Sequence, residues 1–208
     1  MFPVHRPSPL TVLSFALACS ALSLPSARAA TATAWWHRSP GHSHYETHRR
    51  GTALNPLRDA LPNPSLTPGA LNPAVTQSDI DQTICVRGYS QSIRPPVRYT
   101  VRLKRAQIRE YGYRDRWLHD YEEDHLIALS LGGSPTSPEN LWPQPHDVVG
   151  GWGSYAKDRL EARLHWLVCH RGLALATAQR DLASDWIAAY KRYVGAAPNN
   201  HELHWDRG

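Results

Sequence analysis

Residues 121–142 read YEEDHLIALSLGGSPTSPENLW, and the rest of the chain is arranged around them. A short polar strand ends in Asp124 and His125. Side chains alternate faces along a strand, so these two neighbours flank one site only where the strand ends and twists into a loop. Gly132 and Gly133, followed by Ser134, Pro135, Ser137 and Pro138, are a strong turn signal. That turn brings Asn140 back antiparallel to the first strand. A carboxylate, an imidazole and a carboxamide thus fall within one small supersecondary unit, a combination suited to metal-assisted hydrolysis. Asp124 can bind a cation, His125 can address a water, and the Asn140 carboxamide can fix the loop or the imidazole by hydrogen bonds.

In these residues the stretch resembles the HNH endonuclease family. Members of that family carry an Asp-His at the end of the first strand of a ββα-metal unit, an Asn in the second strand and a ligand from the following helix. Asp124-His125, Gly132-Gly133 and Asn140-Leu141 match that pattern in identity and order over roughly residues 122–169. The chain departs from it at the last His, since no His stands at the expected place in the helix, and it lacks paired CxxC motifs. The resemblance implies an α+β fold in which a small hairpin-helix unit is surrounded by further helices. It also implies His125 as general base, Asn140 as its catalytic companion, Asp124 as a metal ligand, and Mg²⁺ or Mn²⁺ as the cofactor.

The first residues carry His5 and Arg6, then the apolar run LTVLSFALACSALSL, then Ala27-Arg28-Ala29. This is the pattern of a secretory signal peptide over residues 1–29, with an apolar run too short to span a bilayer. Lipoprotein anchoring at Cys19 is the alternative. No later segment is apolar enough to cross a membrane, so the mature chain is expected to be secreted or periplasmic. Cleavage removes Arg6 and Arg28, taking the formal charge from +5 to +3. Cys85 and Cys169 then remain, and in an oxidising compartment such a pair is expected as a structural disulfide. Residues 30–70 are rich in Pro, Ser, Thr, His and Arg without apolar periodicity, and read as a disordered linker in which His37, His42, His44 and His48 are expected to be solvated, loose metal binding being the alternative. The folded domain is expected over residues 71–194, followed by a flexible tail, 195–208.

Helical periodicity marks three segments. Over residues 97–111, after Arg94-Pro95-Pro96, Arg98, Arg102, Arg105 and Arg109 fall on one stripe. Such a stripe can meet a phosphate backbone without reading bases. After Gly153, Ser154 is placed to cap a helix whose Ala156, Leu160, Leu164, Leu167 and Val168 face the core. Asp158 then stands in the first turns, where the family resemblance places a second metal ligand, with Glu161 and His146 in reserve; Arg159 is placed to contact phosphate. Gly172 ends this helix, and Leu175, Ala178, Leu182, Trp186, Ala189 and Tyr190 form the apolar face of a last one.

Three functions are compatible with these residues. The first is a secreted metal-dependent nuclease acting on DNA or RNA, with little sequence preference because no base-reading element is present. The second is a non-catalytic module that binds nucleic acid or protein on the same fold. The third is a metal-dependent hydrolase of another phosphoester.

Overall fold

The computed structural model describes residues 55–198. The signal peptide, Cys19, the four histidines of the expected linker and most of the expected tail lie outside these residues. Within them the fold is α+β. Two strands, β1 (Tyr121–His125) and β2 (Leu141–Pro145), form an antiparallel hairpin. Four helices surround it: α1 (Tyr89–Ile93), α2 (Val97–Glu110), α3 (Ser154–Arg171) and α4 (Leu175–Tyr193).

The hairpin register pairs Glu122 with Gln144, Asp124 with Trp142 and His125 with Leu141. Pro143 and Pro145 lie inside β2 without harm, because both strands of a two-stranded sheet are edges and need no N–H on their outer side. The same prolines stop further pairing. The connection depends on its two glycines. Gly132 has φ +75°, a left-handed conformation that only glycine adopts without strain. At Gly133 a Cβ would lie 1.7 Å from the Ile127 carbonyl oxygen, so no side chain fits.

The α2 helix is tied to the hairpin by polar side chains, one half-buried and one buried. Lys104 Nζ donates to the carbonyls of Leu118 and Tyr121 at 2.8 and 2.6 Å, and Gln107 Nε2 donates to that of Leu141 at 2.7 Å. Ile108 packs there with Tyr113 and Tyr121. The main core lies between α3 and α4, where Ala156, Leu160, Leu164 and Val168 meet Leu175, Ala178, Leu182 and Trp186. These are the positions that helical spacing assigns to the core, apart from Leu167, which is half-buried.

Four features differ from the sequence expectation. The packed body begins by Asn55 and not at Leu71: Asn55 bridges to Val148, Ala60 is fully buried, and Trp186 Nε1 donates to the Ala60 carbonyl at 2.8 Å. This segment is held by backbone pairing and single anchors, which leave no periodicity in sequence. The N-cap of α3 is Gly153, and the Ser154 hydroxyl bonds His146 Nδ1 at 2.7 Å instead of capping. The last helix is kinked at Asp185, whose carboxylate accepts from the Ala188 N–H at 2.9 Å and so starts a second helical segment. Finally, a short helix that apolar spacing does not announce, α1, precedes α2 and is separated from it by the three residues Arg94, Pro95 and Pro96.

Cys85 and Cys169 are joined by a disulfide, with Cα atoms 5.7 Å apart and 84 positions between them in sequence. It ties the segment ahead of the hairpin to the end of α3 and is compatible with an oxidising compartment. Among the described residues, no helix is long and apolar enough to cross a membrane.

Candidate active site

The end of β1 is built by three sets of contacts. Asn140, fully buried, accepts from the Ile127 N–H at 2.9 Å and donates from Nδ2 to the carbonyls of Ile127 and Ser134, both at 3.0 Å. All of its carboxamide contacts are to backbone, so Asn140 clamps the loop across Gly133. It does not touch the imidazole. His125 is held by its own contact, Nε2 to the Pro135 carbonyl at 3.0 Å. A carbonyl only accepts, so Nε2 carries the proton and the lone pair of the neutral ring sits on Nδ1. Burial pushes the His125 pKa below its ordinary value, against the pull of the Pro135 bond and of Asp124. At neutral pH the ring is therefore an unprotonated base.

Asp124 is engaged by a residue that the sequence reading did not single out. Lys157 is 0% exposed, and its ammonium donates to Asp124 Oδ2 at 2.7 Å, to the His125 carbonyl at 2.8 Å and to Glu161 Oε1. Trp142 Nε1 also donates to Asp124 Oδ2, at 3.3 Å. Burial alone would lower the Lys157 pKa, but Asp124 and Glu161 more than offset it and hold the ammonium charged. Burial pushes Glu161 up to about 8, against the opposing pull of Lys157. The signal for Lys157 in the sequence is its i,i+4 spacing to Glu161, which on its own marks only a solvated helix pair.

Around this triad the negative charge is crowded. Alternation along β1 puts Glu122 on the Asp124 face, and the register adds Gln144 and Trp142 to it. Glu122 is pushed up to about 7 by burial first and then by Asp124 and Asp158. Asp158 is exposed by surface area, yet it too is pushed up, to about 6, by the shielding of its carboxyl from water and by Asp124. Arg94, on the approach to α2, lowers Glu122, Asp158 and His125 together and so belongs to the same neighbourhood. The fully buried Gln144 has neither of its amide atoms partnered.

The site residues expected from sequence thus divide. Asp124, His125, Asp158 and Glu161 come together. Asn140 supports the loop beneath them. His146 is bonded to Ser154 and stacked on Tyr155, with ring centres 5.4 Å apart. Arg159 is exposed on α3, and Arg98, Arg102, Arg105 and Arg109 are all exposed along α2.

For a metal ion, Asp124 and Asp158 are not joined by a third His, Cys, Asp or Glu among the described residues into a tight cage. Among the described residues, the group of three such side chains with ligand atoms within 4.8 Å of one another is Cys85, His165 and Cys169. Its sulfurs are bonded to each other in the oxidised protein, so it offers no thiolate there, and His165 is bonded to the Ile84 carbonyl at 2.9 Å. The Glu122 face fits a hard divalent cation better. It carries carboxyls raised by burial and by one another's charge, and an orphaned oxygen donor in Gln144. Compared with protein-family models, curated proteins and solved structures, the chain matches none.

Proposed function

We propose that the chain is a secreted nuclease of the HNH type, which hydrolyses phosphodiester bonds of nucleic acid, and that β1, β2 and α3 form its ββα unit. The observation that carries this reading is the fixed imidazole. His125 is held through Nε2 on the Pro135 carbonyl, neutral, with Nδ1 free of that bond, beside Asp124 at the strand end. In hydrolysis, His125 Nδ1 takes the proton of the attacking water. Asn140 keeps the loop that carries Pro135, and hence the ring, in place. Lys157 holds Asp124 and the β1 backbone, and Arg94 adds positive charge near the phosphate. Asp124, through its second oxygen, and Asp158, with Glu122 and Gln144 beside them, would hold Mg²⁺ or Mn²⁺, which supplies charge against the scissile phosphate. The exposed arginines of α2 and Arg159 meet neighbouring phosphates without reading sequence.

One observation favours a second reading, a binding module without catalysis: Lys157 already gives Asp124 a positive partner. Incubating purified mature protein with plasmid DNA and with single-stranded RNA, with Mg²⁺ or Mn²⁺ and with EDTA, separates the two. Cleavage that needs the metal supports the nuclease. Retained binding with no cleavage under any metal supports the module.

A further inference from the structure

At the C-terminal end of α2, two of the arginines assigned above to phosphate, Arg105 and Arg109, meet a third cation in one patch. Arg105 and Arg109 of α2 and Arg116 of the following loop line a cavity of about 240 Å³ that is floored by Ile108 and Leu118. Among the described residues, none of the three guanidiniums takes part in an ion pair. Trp117 stands between Arg116 and Leu118 and is 60% exposed, with its ring 5.5 Å from that of the exposed His119. The loop is not loose at this point, because the Trp117 N–H donates to Asp115 Oδ1 at 2.9 Å.

Three unpaired cations around one hollow repel each other and call for an anion with several oxygens. At the position after Arg116 in the chain, the exposed indole of Trp117 offers a flat apolar face. Phosphate-binding guanidiniums next to an aromatic platform suit a nucleotide whose base is unpaired, because a duplex hides its base faces in the stack. We propose that this patch is a subsite for single-stranded nucleic acid: Arg105, Arg109 and Arg116 hold backbone phosphates, and Trp117 stacks one unpaired base. The inference rests on the nucleic-acid reading given above and narrows its substrate to strands with unpaired bases. The geometry connects the two places. The 14 residues of α2 span about 20 Å, with Arg98 and Arg102 exposed between the patch and the Arg94 end that faces the candidate active site.

The test is binding in EDTA, where no metal-dependent cleavage intervenes. Fluorescence anisotropy of full mature protein is measured on a labelled oligothymidine 12-mer, on an abasic strand of equal length and on the matching duplex. Trp117→Leu should weaken binding of the thymidine strand about tenfold and leave the abasic strand unchanged, while Trp117→Phe, which keeps a ring, should bind nearly as the parent does. Arg105→Ala, Arg109→Ala and Arg116→Ala should each make the salt dependence shallower, by about 0.7 per lost contact on a single strand. Melting temperatures equal to the parent's establish that each variant is folded, as expected for side chains on the surface. Equal binding of the thymidine strand by Trp117→Leu and parent overturns the subsite, as does an equal loss on the abasic strand. Trp117-dependent binding to phosphatidylserine vesicles, with oligonucleotide binding unaffected, overturns it in favour of a membrane contact. A parent that binds through Trp117 and never cleaves overturns the nuclease alone; one that cleaves single strands with Trp117 irrelevant overturns the subsite alone.

Discussion

Replacing Lys157 with Met removes the charge at the centre of the site while nearly conserving side-chain volume, and the structure sets the size of the effect. The ammonium is 0% exposed and serves Asp124, Glu161 and the His125 carbonyl at once. Without it, Asp124 keeps only the 3.3 Å bond from Trp142 Nε1 at Oδ2, and a carboxylate 7% exposed is left without a positive partner. Removing one partner of a buried pair costs about 3–5 kcal/mol. That is a large share of the roughly 5–15 kcal/mol by which domains are stable. At about 2–4 °C per kcal/mol for a body of this size, the melting temperature should fall by roughly 6–20 °C. Far-UV circular dichroism melts and urea titrations at pH 7 measure it. The double variant Lys157→Met, Asp124→Asn should recover a good part of the loss, because the orphaned charge goes with its partner. A melting temperature for Lys157→Met within about 2 °C of the parent's would refute the view that this ammonium holds the hairpin to α3.

Three further outcomes follow from the same contacts. Converting both Cys85 and Cys169 to Ala opens a loop of 84 positions and should cost about 4–5 kcal/mol in the chain-entropy account, read as a lower urea midpoint; an unchanged midpoint contradicts it. Glu122 is raised to about 7 in the fold from an ordinary value near 4.3, so between those pH values the folded chain holds a proton that the unfolded chain has released. Stability therefore falls as pH rises through that window, and Glu122→Gln should melt above the parent at pH 8 and close to it at pH 4; the opposite order shows that the carboxyl is not crowded. Millimolar Mg²⁺ or Mn²⁺ at pH 8 should raise the parent's melting temperature, and raise that of Asp158→Asn less, whereas equal shifts place the ion elsewhere.

Much of the architecture is legible in the sequence because it is written in short-range patterns. The hairpin shows in Gly132-Gly133 and the flanking polar strand, the helices show in apolar spacing, and the disulfide shows in cysteine arithmetic. What the sequence hides is long-range. Lys157 and Glu161 look like a solvated pair on one helix, and only the packing of α3 onto β1 brings the ammonium to Asp124, 33 positions earlier. Gln107 sits among exposed-looking residues of a basic helix, yet it is buried because it satisfies the Leu141 carbonyl. Residues 55–70 lack periodicity, so their packing under Trp186 is visible only in three dimensions. Asn140 was legible as a site residue, but its contacts are to the loop backbone, a supporting role that residue type alone does not distinguish from a catalytic one.

The measurement closest to the central claim is the cleavage rate of His125→Ala against the parent, on plasmid and on single-stranded substrate with saturating Mg²⁺ or Mn²⁺, with melting temperatures taken on the same preparations. Loss of the Nδ1 base should lower the rate by about 10² to 10⁴-fold, the usual contribution of general acid–base catalysis, in a protein that remains folded and still binds the oligonucleotide. A folded His125→Ala protein that cleaves as fast as the parent contradicts the assignment of His125 as the base and returns the strand end to a structural role.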